Sequence, residues 1–175
     1  SLKFEAPTEI QEKTISLILE ERDVIGQSAT GSGKTLAFGA GIIEKIKRKG
    51  GTQALILVPT RELAQQVSKS FAVFSRNHNL NIAEVYGGVS INPQIRKIER
   101  AEIVVGTPGR ILDHLERRTL NLSKLIWLVL DEADRMVDMG FLPDVEKIIN
   151  LCPRKRQTLL FSATITQDVH HIEKK

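Results

Sequence analysis

Six short apolar runs, separated by stretches of helical periodicity, constrain this chain more than any other feature. They are "DVIG" (23–26), "ALILV" (54–58), "IAEVY" (82–86), "EIVV" (102–105), "IWLVL" (126–130) and "TLLFS" (158–162). Several are nearly all apolar, as strands buried on both faces should be. Between 61 and 74, Leu63, Ala64, Val67, Phe71 and Phe74 recur at helical spacing, and similar stretches follow most of the other runs. Such alternation requires right-handed crossovers and predicts a parallel β-sheet with helices on both faces. At 175 residues, with no internal repeat, low-complexity tract or linker, the chain reads as one α/β domain over 1–175.

In a sheet of this kind, ligands sit beyond the carboxyl ends of the strands. The segments that follow the runs are "QSATGSGKT", "PTREL", "GGVS", "TPGR", "DEAD" and "SATIT", all polar, glycine-containing or hydroxyl-bearing. The first contains "SATGSGKT" (28–35), which matches the phosphate-binding pattern G-x-x-x-x-G-K-[ST] at Gly33, Lys34 and Thr35, with Ser28 in place of the first glycine. Gly31 and Gly33 let the backbone turn its N–H groups towards phosphate oxygens, and the helix predicted from Lys34 adds its positive dipole end. Lys34 can reach terminal phosphates, and the Thr35 hydroxyl can ligate Mg²⁺.

The fifth run, in "LIWLVLDEADRMVD" (125–138), ends in three carboxylates within four positions: Asp131, Glu132 and Asp134. Like charges this close repel, and a buried carboxylate needs a counter-charge. A magnesium ion held between nucleotide phosphates and Asp131, through water, would supply it. Glu132 points elsewhere and suits the orientation or deprotonation of an attacking water. Asp134 falls on the first turn after the strand, where stabilising a helix N-terminus is an alternative role.

In "FEAPTEIQ" (4–11), Thr8 and Gln11 have the spacing of a capping box, which spacing alone favours. The Gln11 amide could also donate to and accept from one edge of adenine, and the two roles are compatible. "PTREL" (59–63) and "TPGR" (107–110) each put a hydroxyl residue where a helix should begin, with Pro108 suited to the first helical position. Their helix N-termini, with Arg61 and Arg110, could hold successive phosphates of a nucleic-acid backbone, and Gly87-Gly88 allows close approach. Singly, each segment is a cap or a turn. Their common place at strand exits favours the functional reading.

In this order, "PTEIQ", "SATGSGKT", "PTREL", "GG" at 87–88, "TPGR", "DEAD" and "SAT" at 162–164 closely resemble the Q motif and motifs I, Ia, GG, Ib, II and III of the first RecA-like domain of DEAD-box ATP-dependent RNA helicases. The likeness covers almost the whole chain and includes the Q motif, which DEAH-type enzymes lack. It implies a RecA-like P-loop NTPase fold, ATP and Mg²⁺ as cofactors, and RNA as partner. Adenine recognition would fall to Gln11, supported by Pro7 and Thr8. Phosphate binding would fall to Ser28, Ala29, Thr30, Gly31, Ser32, Gly33, Lys34 and Thr35, with Thr35 and Asp131 serving the metal. Glu132 is implied as the catalytic carboxylate, acting with Lys34 and Asp131. Asp134 is implied to hydrogen-bond with Ser162 and Thr164 of the Ser162–Ala163–Thr164 segment, linking hydrolysis to strand separation. Pro59, Thr60, Arg61, Gly87, Gly88, Thr107, Pro108, Gly109 and Arg110 correspond to the RNA-contacting segments, which carry little sequence information.

Three departures from the family pattern stand out. Ser28 replaces the usual alanine, and Lys3 replaces the glycine before the Q-motif aromatic, which Phe4 keeps. The isolated aromatic found further upstream in the family has no counterpart, which weakens the expected adenine affinity. The resemblance also implies a second RecA-like domain of the same polypeptide, absent from these 175 residues. Such a domain normally supplies arginine fingers worth about 10³–10⁵ in turnover. The chain alone is therefore expected to be a monomer that binds ATP–Mg²⁺ weakly, hydrolyses it very slowly and does not unwind duplexes.

An ATP-dependent RNA clamp that switches without unwinding is the rival reading, and RNA-stimulated phosphate release separates the two. A P-loop kinase or GTPase is disfavoured, since no N-K-x-D guanine motif is present and a kinase has no use for the Q motif. No run is long enough to span a membrane, and no signal peptide opens the sequence. The single cysteine, Cys152, forms no internal disulfide, suits a reducing compartment and reads as a small apolar residue. An intracellular, cytoplasmic setting follows, or a nuclear one in a eukaryote. The net charge of +4 is compatible with a polyanionic partner without requiring one. "KIKRKG" (45–50), "ERR" (116–118) and "PRKR" (153–156) read as solvated ends, and His170-His171 as part of a surface helix with no metal role.

Overall fold

A computed structural model describes residues 9–27 and 33–173. The six predicted runs form β1 (Val24–Gln27), β2 (Ala54–Leu57), β3 (Ile82–Val85), β4 (Ile103–Gly106), β5 (Trp127–Leu130) and β6 (Gln157–Ser162). They make one parallel sheet in the order β1-β6-β5-β2-β4-β3. Between and beyond them run α1 (Glu9–Leu19), α2 (Lys34–Lys45), α3 (Arg61–Phe74), α4 (Asn92–Ile98), α5 (Pro108–Glu116), α6 (Ala133–Asp138), α7 (Leu142–Leu151) and α8 (Gln167–Glu173).

The period-2 alternation of each strand divides the core in two. Leu55, Leu57, Val104, Leu128, Leu130 and Leu160 face one side, against Ile111 of α5, Met136 of α6, Ile148 of α7 and Val169 of α8. Ala54, Ile56, Val105, Val129 and Phe161 face the other, against Ile18 of α1, Phe38 of α2 and Phe71 of α3. Phe38 joins the layers there, its ring centroid 5.9 Å from that of Phe71 and 5.4 Å from that of Phe161. The apolar content of the strands thus follows from burial on both faces, as in other parallel sheets.

Three strands, β1, β4 and β5, start one residue later than the sequence pattern suggests, and in the first two a carboxylate stands at the entry. Asp23 lies before β1 with its carboxylate accepting the Thr158 N–H at 2.6 Å. Glu102, before β4, is buried, and its two oxygens accept the N–H groups of Lys49 and Asn81, each at 2.7 Å. Each carboxylate satisfies main-chain donors next to the ladder, which ends the strand there. Cys152 is buried as expected; burial pushes its thiol pKa up to about 11, and its Sγ donates to the Ile148 carbonyl at 3.2 Å.

The register brings the carboxyl ends of all six strands to one edge. Gln27 pairs with Ser162, Leu130 with Leu160, Leu57 with Leu130 and Gly106, and Val85 with Gly106. The described parts of the polar segments singled out in the sequence therefore share this edge.

Candidate functional site

The centre of the edge is the exit of β5. Gly33 caps α2 with φ 87°, a conformation that favours glycine, and Lys34 opens the helix. The Lys34 Nζ lies 3.5 Å from the Asp131 Oδ1, and both side chains are almost fully buried, at 6% and 4% exposure. Burial raises the Asp131 pKa above the ordinary aspartate value and Glu132 adds to this, against the lowering pull of Lys34. Asp131 Oδ1 also accepts the Glu132 main-chain N–H at 3.0 Å.

Glu132 caps α6 in the left-handed region, with φ 54° and ψ 51°. A non-glycine residue there is strained by about 1–2 kcal/mol, a pattern found where function fixes a side chain. Its carboxylate is only 11% exposed and accepts from Arg135 Nη1 at 3.2 Å. The carboxylates of 131 and 132 thus meet positive charges of the chain itself, Lys34 and Arg135. Sequence reasoning offered a magnesium ion and overlooked Arg135, although its spacing of three from Glu132 on a helical turn was a usable signal.

Asp134 bridges this exit to that of β6. Its Oδ2 accepts from both the main-chain N–H and the hydroxyl of Thr164, each at 2.9 Å. Its own N–H donates to Ser162 Oγ at 3.1 Å, and that hydroxyl donates to the Thr164 carbonyl at 2.7 Å. Asp134 Oδ1 also accepts the Arg135 N–H at 3.0 Å, in the first turn of α6, so the helix-end role coexists with the bridge. Burial opposes ionisation of Asp134, but hydrogen bonds, chiefly the two from Thr164, outweigh it and hold the carboxyl below the usual aspartate value. The Ala163 carbonyl accepts from Gln27 Nε2 at 3.2 Å, which ties the same segment to β1.

The outer half of the edge gathers the segments after β2, β3 and β4. Thr60 caps α3, its hydroxyl accepting the Leu63 N–H at 3.2 Å. Thr107 is the N-cap of α5 and makes no side-chain cap bond, although Pro108 takes the first helical position as expected. Removing the Thr60 hydroxyl with Thr60→Ala is therefore expected to cost about 1 kcal/mol in chemical denaturation, and Thr107→Ala distinctly less. Equal losses would show that the two hydroxyls do the same work.

The Arg61 guanidinium carbon sits 4.9 Å from the centroid of the Tyr86 ring, which joins the segment after β2 to the residue before Gly87. Gly88 has φ 78°, and a Cβ added at either glycine would meet nothing within 4 Å. The space outside the loop is open.

Arg110 is engaged with the chain rather than presented outward. Its Nη1 and Nη2 donate to the Val89 carbonyl at 3.0 and 3.1 Å, and its Nε lies 3.8 Å from Asp113 Oδ2, with the side chain 15% exposed. Behind it, buried Gln94 donates to the Tyr86 carbonyl at 2.9 Å, and its Oε1 lies 3.2 Å from His114 Nε2. Burial, then the Arg110 charge, lowers the His114 pKa. With a neutral ring, Nε2 donates to Gln94 and Nδ1 accepts from the Thr119 hydroxyl at 2.8 Å. Sequence reasoning missed Gln94 and His114, which fasten the glycine loop to α5 across two crossovers.

Pro7, Thr8, Ser28, Ala29, Thr30, Gly31 and Ser32 lie outside the described residues, and so does the side chain of Gln11, whose backbone belongs to α1. Among the described residues no group of three or more His, Cys, Asp or Glu could hold a metal ion by itself. A hard cation at Asp131 would therefore need oxygens from a ligand, which suits Mg²⁺ with phosphates. No described helix is long and apolar enough to cross a membrane.

Comparison with known proteins gives a consistent result. Residues 8–172 match the family described as DEAD/DEAH box helicase. The chain is 50% identical over 173 residues to a probable ATP-dependent RNA helicase of Methanocaldococcus jannaschii, covering 98% of this chain and 47% of that protein. It is 51% identical over 170 residues to the RNA helicase CrhR of Synechocystis sp., covering 97% of this chain and 35% of that protein. The crystal structure of a DEAD box protein from the hyperthermophile Methanococcus jannaschii superposes with a TM-score of 0.94 at 49% identity, over 97% of this chain and 47% of that one. The chain thus spans between about a third and a half of these relatives.

Proposed function

Because the chain belongs to the DEAD/DEAH box helicase family and folds as its RecA-like domain, we propose that it is the N-terminal ATP-binding domain of an ATP-dependent RNA helicase, coupling nucleotide binding and hydrolysis to RNA clamping and local strand separation. The observation that carries this reading is the buried Lys34–Asp131 pair at the start of α2, one residue from a strained Glu132 and three from the Asp134–Thr164 bridge.

ATP with Mg²⁺ supplies the transferable phosphoryl group and a counter-charge for the acidic strand end. Lys34 would bind terminal phosphate, and Thr35 and Asp131 would hold the Mg²⁺. Glu132 orients the attacking water and takes its proton, held in place by Arg135. Gln11 reads adenine. Asp134 passes the state of the nucleotide to Ser162 and Thr164 through hydrogen bonds that change when the β5 exit moves. Arg61, Thr107 and Gly88 hold the sugar–phosphate backbone, with Arg110 setting the loop that carries Gly88. A second RecA-like domain of the same polypeptide completes the active site and the RNA clamp.

Calorimetry on this chain with Mg²⁺ tests the reading. ATP should bind and GTP should not, and Gln11→Ala should weaken ATP alone. Equal binding of both nucleotides, or no heat with saturating ATP–Mg²⁺, would overturn the assignment. Robust duplex unwinding by this chain alone would overturn the role given to the second domain.

A further inference from the structure

A second concavity lies on the outer flank of the sheet, away from the Lys34–Asp131 centre. It encloses about 670 Å³ between the end of α3, the start of edge strand β3 and the end of α4, and Arg76, Asn79, Asn81, Arg96, Lys97 and Arg100 line it. All four cations are exposed, and none makes an ion pair among the described residues. No carboxylate is part of its wall. The nearby Glu102 is buried and already accepts from Lys49 and Asn81.

Cations near helix C-termini complement the dipole, and charge beside an edge strand discourages pairing with another chain. Either effect is met by one or two residues. Four around one hollow, equal in number to the whole positive excess of the chain, +4, require a further explanation.

We propose that this groove is a second contact for the RNA sugar–phosphate backbone, engaged by strands longer than the Gly87–Gly88 edge alone can hold. The inference rests on the RNA-binding reading above. β3 connects the two places: its four residues span roughly 13 Å from the groove to Tyr86 and the glycine loop, and α4 returns along the same flank. One strand can therefore lie over both. The groove wall has no aromatic ring on which a base could stack and no aromatic anchor of the kind protein partners use. Contact is thus through phosphates and indifferent to sequence.

The test compares two single-stranded RNAs, of roughly six and about twenty nucleotides, by fluorescence anisotropy over a range of salt concentrations. Arg96→Gln/Lys97→Gln/Arg100→Gln should weaken the long RNA about tenfold at low salt, make its log–log salt slope shallower by about 2, and leave the short RNA unchanged. Arg96→Lys/Arg100→Lys should retain both affinities, which separates lost charge from a damaged helix end. An unchanged long-RNA affinity and slope in the triple variant, or equal weakening of both RNAs, overturns the proposal. So does tight binding of poly-glutamate at the groove with long-RNA affinity untouched by the triple variant, which assigns the groove to an acidic protein. Arg61→Ala should weaken both RNAs. If it weakens neither, the glycine-loop reading fails while the triple variant still decides the groove.

Discussion

Glu132→Gln in the full-length polypeptide is expected to lower RNA-stimulated phosphate release by about 10²–10⁴-fold, or about 2.7–5.5 kcal/mol of barrier, with ATP affinity unchanged. Glutamine keeps the size of the side chain and can still meet Arg135, now without an ion pair, but it cannot take a proton from water. The main-chain N–H of residue 132, which donates to Asp131 at 3.0 Å, is unaffected by the change. The backbone gives a second handle. Residue 132 sits at φ 54°, so Glu132→Gly removes strain of about 1–2 kcal/mol together with the carboxylate. That variant should be as inactive as the glutamine one while the nucleotide-free fold is no less stable by urea denaturation. Turnover reduced by less than tenfold in Glu132→Gln would remove Glu132 from the proton-transfer role. A clear loss of stability in Glu132→Gly would instead make its contact with Arg135 a structural one.

The sequence disclosed most where neighbours in space are neighbours along the chain. "ALILV" and "IWLVL" are apolar throughout because both faces of β2 and β5 are covered, so their strand character needed no knowledge of partners. The strand exits were legible for the same reason, since the apolar runs stop there and polar, glycine-bearing or hydroxyl-bearing segments begin. Strand order was not legible. Nothing local says that β4 lies between β2 and β3, and the arrangement of Arg110, Gln94 and the glycine loop depends on that adjacency. For this reason the sequence offered Arg110 for RNA contact but not the hold of its guanidinium on the Val89 carbonyl. The Thr60 and Thr107 pair illustrates a finer limit. Both begin helices, as their residue types suggest, but only Thr60 uses its hydroxyl as a cap, and that difference lies in side-chain geometry rather than in composition.

Lys34→Met in the nucleotide-free chain is expected to lower stability by about 3–5 kcal/mol at around pH 8 and by clearly less at around pH 5, measured by urea denaturation. Methionine preserves most of the volume, so the loss is not that of a cavity. It arises because Asp131, almost fully buried, loses the cation 3.5 Å away. The sign of the pH dependence follows from Asp131. Burial and Glu132 already hold its pKa above the ordinary value despite Lys34, and removing Lys34 raises it further. Between the unfolded and the folded pKa the native state binds more protons than the unfolded chain, so stability falls as pH rises through that window. The variant's window extends higher, and its deficit therefore grows towards alkaline pH. Adding Asp131→Asn removes the stranded charge while its side-chain oxygen can still accept the Glu132 N–H, so the double variant should recover most of the loss and flatten the pH dependence. A deficit equal at both pH values, with no recovery in the double variant, would mean that Lys34 stabilises the fold by packing alone. Asp131 would then not depend on a positive partner, and the case for exchanging that partner with a nucleotide-bound ion would fail with it.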